Sequence, residues 1–488
     1  MHPVNQTVPE TNEITAMGGL ELSAAIQSKR VSCVEVMRTF LERIHAINPR
    51  FNAIVALQDD DDLIAQAKTA DQELAQGKSR GWLHGIPQAP KDLMLTRGIV
   101  TTRGSKLFEN FVPTEDMVSV GRLRDEGAIF IGKTNTPEFG LGSQTYNDVY
   151  GATRNAWNEK LCAGGSSGGA GSALALNLLP VNDGSDMMGS LRNPAAFNGI
   201  YGFRPSAGRV PGAPSPDQFV QQLGVEGPMG RSPQDCARLL ATQAGRTVRA
   251  PLSLAGDGSE FVPLASYQPA NSRPLTGKRI GWLADLDGYL PMQPGVVERC
   301  QIGVKQLESL GACVEPVSLN FKPEALWQSW LVLRAGIQGG NLGALIANPE
   351  HRALVKPAVI WEAENAAGAS AADFFQASVT RTSFYLSMVE MFETWDFLVM
   401  PTAQVFPFDV QTDWPKEING KPMDTYHRWM EVVLVPTMAG LPAMNLPIPA
   451  STNDGNAVDM TGIQLIGKPQ DDSGVLTASI DFYNSLAT

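Results

Sequence analysis

Leu161 to Arg209 carries two glycine-rich loops, each with a serine, on either side of an apolar segment. The first loop is Gly164-Gly165-Ser166-Ser167-Gly168-Gly169. Ala170 to Leu179 then reads as a short buried helix ended by Pro180. The second loop is Gly184-Ser185-Asp186-Met187-Met188-Gly189-Ser190. Glycine admits backbone angles and close approaches closed to other residues. Two such loops around one packed helix therefore suit a site where backbone N–H groups face a ligand. A Gly/Ser run is often a flexible linker, but this one leads straight into an apolar helix that anchors it. A phosphate cradle at the helix N-terminus is another use. The G-x-x-x-x-G-K-[ST] pattern is missing, and no G-x-G-x-x-G follows a strand.

The 488 residues suffice for one large α/β domain or two to three ordinary ones. A net charge of −12 argues against a nucleic-acid partner, because gripping phosphates needs a basic face. No apolar run reaches the roughly 18 residues that a membrane span requires, so no membrane partner is expected. The N-terminus has neither a basic n-region nor an apolar h-region, so no signal peptide is expected. Five cysteines lack C-x-x-C spacing, which points to reduced thiols and a cytoplasmic location. Cys162 reads as a small buried hydrophobe. The five histidines share no metal-ligand spacing, so neither a metal nor a cofactor is expected. Only His84 lies near a motif, and it reads as a loop residue.

Residues 1–14 read as disordered, and residues 15–80 as a helical N-terminal arm. In that arm Gly19 to Ser28 is a first helix. Ser32 and Glu35 form a capping box for a second, with Val34, Met37, Leu41, Ile44 and Ile47 at helical spacing. A third helix spans about 61–76. The core motifs occupy 81–210, with a helix over 117–126 and a buried strand over 128–132. A helix follows over 233–242, and the Pro/Gly/Ser-rich 251–277 reads as a surface excursion. Residues 279–283, 295–310 and 314–317 read as strand, helix and strand, which implies parallel pairing. Residues 320–430 read as a helical substrate-side region whose tryptophans are mostly core. Within it Phe397 to Thr402 is a buried strand. Residues 443–448 and 462–466 make a hairpin around the turn Asn453-Asp454-Gly455.

Three motifs in one order carry a resemblance. GGSSGG is followed, 24 residues after Ser166, by Ser190 in the loop GSDMMGSLR. Upstream stands Gly85-Ile86-Pro87-Gln88-Ala89-Pro90-Lys91-Asp92, matching G-I-P-x-x-x-K-D. Gly132 to Phe139 reads GKTNTPEF. Together these resemble the amidase signature family. The resemblance covers about residues 15–485 and implies one α/β domain built on a large mixed sheet with helices on both sides. It implies that Ser190 is the nucleophile, Ser166 a bridging serine held by a cis peptide after Gly165, and Lys91 the terminal base. It implies an oxyanion hole from the N–H groups of Met187, Met188, Gly189 and Ser190. Gly165, Asp186 and Arg192 would support the loop. Lys133, the rival base, is expected to be structural, ion-paired near Asn135 and Glu138.

The implied activity is hydrolysis of amide or carbamate C–N bonds through an acyl- or carbamoyl-enzyme. The partner would be a small-molecule amide or carbamate, and a homo-oligomer is compatible with the sequence. Met187-Met188 departs from the family's usual Thr-Gly and is expected to make the pocket floor apolar. Pro90 departs from the usual small or branched residue. The loop resembles a branch that includes urethanases, aryl acylamidases and cyclic nylon-oligomer hydrolases. An alternative within the same family is a glutamine-hydrolysing subunit of a tRNA-dependent amidotransferase.

Overall fold

Pro180 stops the apolar segment, and the chain passes directly into the edge strand of a large sheet. The computed structural model describes residues 11–220, 222–451 and 459–486. The eight strands are, in chain order, β1 (Val181–Asp186), β2 (Tyr201–Arg204), β3 (Val225–Gly230), β4 (Arg279–Trp282), β5 (Cys313–Pro316), β6 (Phe397–Pro401), β7 (Ala443–Ile448) and β8 (Thr461–Ile466). Their spatial order is β1-β3-β2-β7-β8-β6-β4-β5. All neighbours pair antiparallel except β6–β4 and β4–β5. The parallel pair β4–β5 follows from the helix Val296–Ser309 between them, since parallel neighbours need a crossover.

Helices cover both faces of the sheet, and adjacent residues on β8 show it. Gly303 of helix Val296–Ser309 packs on Ile463 and Ile448. The next residue, Gln464, bonds Arg192 of helix Arg192–Asn198. Successive side chains of a strand point to opposite faces, so these two helices lie on opposite sides. Helices Gly19–Gln27, Cys33–Phe51 and Asp60–Ala75 bury a separate cluster around Phe40, Ile44 and Phe51. Ser32 and Glu35 close the capping box of the second of these.

Three expectations change. The helix after the first loop runs Gly168–Ala175 and stops before its apolar run does, because Asn177 turns the chain at φ 56°. The α-helices over the region 320–430 end at Thr394. Beyond it the chain forms β6 and then mostly irregular backbone, although the aromatic content stays high. Residues 1–10 of the expected disordered stretch lie outside the described residues, whereas Glu13–Ala16 form a short helix. The Asn453-Asp454-Gly455 turn also lies outside them, but β7 and β8 pair antiparallel as the hairpin requires. Among the described residues no helix is long and apolar enough to cross a membrane.

Candidate active site

Lys91 reaches the site because its segment is stitched to β1. Gln88 Nε2 donates to the Val181 carbonyl at 2.7 Å, Asn182 Nδ2 to the Ala89 carbonyl at 3.0 Å, and the Lys91 N–H to Asp183 at 3.1 Å. The lysine side chain is fully buried. Lys91 Nζ lies 2.7 Å from Ser166 Oγ, 2.9 Å from Ser167 Oγ and 3.1 Å from Ser185 Oγ. Burial pushes its pKa down to about 7 against the opposing pull of Asp183 and Asp186. A neutral amine has two N–H donors and one lone pair. The Ser167 hydroxyl also points at the Ser185 carbonyl, 3.4 Å away. The short Ser166 contact is therefore the one placed to donate into the lone pair.

The two glycine-rich loops meet at this lysine. The Gly165–Ser166 peptide is cis. The Ser167 N–H donates to the Ser190 carbonyl at 3.2 Å, which joins the loops directly. Gly189 sits at φ 80°, and a Cβ there would lie 2.8 Å from Val433 Cγ1, so only glycine fits. Ser190 is 7% exposed, and its hydroxyl has no partner among the described residues. With Ser166 it lines a cavity of about 280 Å³ whose walls include Leu93, Met94, Met117, Phe139 and Val210.

Asp186 holds the second loop from below. It accepts the Gly189 N–H at 2.8 Å and the Leu191 N–H at 3.2 Å. Arg192 grips it with Nε and Nη2, each at 3.0 Å, and Arg204 Nη1 lies 3.2 Å away. Burial alone would raise this carboxyl's pKa, but the two guanidinium groups outweigh it and hold it well below the usual range. Removing one partner of a buried ion cluster strands the others. Asp186→Ala is therefore expected to cost about 3–5 kcal/mol, whereas breaking the exposed Arg249–Glu115 pair costs under about 1 kcal/mol. Thermal unfolding of the two variants checks this; equal midpoints would refute it.

Two details of the loop differ from expectation. The Gly189 N–H donates to Asp186, so an oxyanion would have to share it. The N–H groups of Met187, Met188 and Ser190 have no acceptor among the described residues. Only Met187 faces the cavity, with Arg334 Nη1 at 3.2 Å and Gln338 Nε2 at 3.4 Å from its sulfur. Met188 is 3% exposed and packs into the core, since adjacent side chains leaving a strand diverge.

The other candidates lie elsewhere. Lys133 Nζ binds the Met94 carbonyl at 2.5 Å and Thr96 Oγ1 at 2.6 Å, not Glu138, so neutral groups hold it. Glu138 instead accepts from Ser105 and the Lys356 N–H. His84 lies in a turn, as its reading as a loop residue has it, and is buried, with Nε2 3.0 Å from the Ala70 carbonyl. Cys162 is fully buried, and burial pushes its thiol up to about 12. Trp327 and Trp330 are core, while Trp361, Trp414 and Trp429 line a second cleft. Ser167 and Ser185, the lysine's further partners, carry no spacing signal beyond their place inside the loops.

The family model described as Amidase matches residues 35–476. The chain belongs to the amidase signature family. As a member it is a hydrolase acting on C–N bonds. This amidase is 33% identical to a subunit of the glutamyl-tRNA(Gln) amidotransferase of Acidothermus cellulolyticus, over 92% of this chain and 90% of that protein. It superposes on a bacterial aryl acylamidase of the same family with TM-score 0.87 and 28% identity, covering 96% of each chain. It shares its fold with 6-aminohexanoate cyclic dimer hydrolase, with TM-score 0.82 and 22% identity over 98% of each chain.

Proposed function

We propose that this amidase hydrolyses amides and carbamates of apolar or aromatic character, with Ser190 as nucleophile and Ser166 and Lys91 as its proton relay. The observation that carries the reading is the 2.7 Å contact between a buried, desolvated lysine and Ser166, in the cavity that Ser190 opens on. A serine hydroxyl attacks only when a base takes its proton. Neutral Lys91 takes the proton of Ser166, and Ser166 takes that of Ser190 after rotation about χ1. Ser190 Oγ bonds the carbonyl carbon, and the C–N bond breaks as the leaving amine collects the proton. Water then releases the acyl group, or the alkoxycarbonyl group that a carbamate leaves once its amine has departed, by the same relay. The N–H groups of Met187, Met188 and Ser190 are the donors left for the oxyanion.

The apolar part of the cavity wall and the Met187 thioether support apolar substrates over glutamine, while Arg103, Arg334 and Gln338 give the same cavity a polar side. The rival reading, in which the chain hydrolyses glutamine for a tRNA-dependent assembly, is favoured by the 33% identity to the amidotransferase protein. The purified chain is expected to turn over aryl amides or aryl carbamates with kcat/KM at least about tenfold above that for glutamine, as differences in apolar pocket contacts allow. A higher value for glutamine would select the amidotransferase role.

A further inference from the structure

Glu226 stands on β3 directly opposite Ser185 of β1, so both side chains rise from the same face of the sheet. It lines the cavity that holds Ser166 and Ser190, yet it is only 7% exposed. One carboxyl oxygen, Oε2, accepts a short hydrogen bond from the Ser119 hydroxyl. The other, Oε1, has no partner among the described residues. Its nearest cover would be a side chain at position 212, but that residue is Gly212, where a Cβ would stand 3.6 Å from Oε1. Oε1 is not fully enclosed, and the cavity is its open side, so a group bound there can complete its hydrogen bonding.

We propose that Glu226 is a specificity-determining residue, whose open carboxyl oxygen donates a hydrogen bond to a second oxygen acceptor carried by the substrate beyond the scissile carbonyl. This rests on the hydrolase reading above and names the substrate class within it: amides or carbamates bearing a further keto, ester or ether oxygen.

The proton's place follows from the surroundings. Burial, with Asp183 adding repulsion, pushes Glu226 up to about 8, so it is neutral at pH 7. With Ser119 donating to Oε2, Oε1 on the cavity side is the oxygen left to carry the carboxyl proton. Among the described residues no cation pulls it back down; only the Ser119 hydrogen bond opposes the rise. On β1, Asp186 is held by Arg192 and Arg204, the latter from β2. On the helix Val118–Asp125, Arg122 binds carbonyls of residues 243–246 and Arg124 binds Asp116. Arg334 on the far wall is paired with Glu362, and Arg103 lies against Phe108. Lys91 Nζ meets Ser185, the residue opposite Glu226, at 3.1 Å.

The test uses acyl p-nitroanilides in matched pairs, a keto oxygen at successive chain positions against its methylene isostere. At one position the keto compound is expected to show a KM about tenfold lower at pH 7, the scale of one hydrogen bond in a dry site. Above pH 8 the donor ionises and the ratio falls toward one. In Glu226→Gln, whose amide donates without titrating, the ratio persists through pH 9. In Glu226→Leu it is lost at every pH. Binding of the same pairs to Ser190→Ala protein reads the ratio without turnover. A ratio near one at every position in the wild type overturns the proposal, as does a ratio unchanged in Glu226→Leu or one that falls with pH in Glu226→Gln. Hydrolysis surviving in Ser190→Ala would instead overturn the reaction itself, whatever the ratio.

Discussion

Ser190→Ala is expected to lower kcat by roughly 10⁴–10⁶-fold, the loss typical of removing a nucleophile whose relay acts as one unit. Ser166→Ala is expected to cost a comparable amount, and the double variant little more. The reason lies in the geometry: Lys91 contacts Ser166 at 2.7 Å, and no hydrogen bond among the described residues joins the lysine to the Ser190 hydroxyl directly. Steady-state kinetics on one aryl amide, with circular dichroism to confirm folding, measures this. A sulfonyl fluoride should label Ser190, identified by mass spectrometry of the peptide. Near-normal kcat in folded Ser166→Ala would remove the bridging role, and label on a different serine would remove the nucleophile assignment.

The second large effect concerns Lys91. An unperturbed lysine titrates near ~10.4 and would be charged at pH 7. Burial among the loops brings Lys91 down to about 7. A group that must be deprotonated to act gives activity that rises with pH through its folded-state pKa. So kcat/KM should climb about tenfold per pH unit below 7 and level off above it for a substrate without a second oxygen. Lys91→Arg should be as inactive as Lys91→Ala, because a guanidinium does not deprotonate in a protein. Lys133 is also desolvated, to about 8, but it braces the Met94 carbonyl and Thr96. Lys133→Ala should lower stability and leave the acid limb of the surviving enzyme in place. If the limb vanished in Lys133→Ala and survived in Lys91→Ala, the wrong lysine has been assigned.

How much of the fold and the site is legible in the sequence depends on range. Lys91, Ser166 and Ser190 stand in motifs whose order and spacing can be read residue by residue. The strand–helix–strand of β4 and β5 and the hairpin of β7 and β8 are legible for the same local reason: each is a periodic segment bounded by turn residues. What escapes are consequences of distant packing. The Gly189 N–H looks free until Asp186 is seen beneath it. Met187 and Met188 are identical in sequence terms, yet one faces the cavity and the other the core. The region after Thr394 keeps the aromatic content of the helices before it, and apolar content alone does not separate a buried helix from buried irregular chain. Glu226 carries no motif at all; only its register against Ser185 brings it to the site.

Arg192, which fixes the loop of the proposed nucleophile, takes its other partners from far along the polypeptide: the Val433 carbonyl, Thr437 and Gln464, up to 272 positions downstream. The ribosome therefore releases the serines and the lysine long before the frame that holds them. Until β8 has emerged, a buried guanidinium lacks several of its acceptors and the loop lacks its floor. Long-separation contacts of this kind form late, because loop closure must precede any gain from them. Catalytic competence is thus a property of the finished polypeptide, and a nascent or prematurely terminated chain carries every reactive residue without being an enzyme.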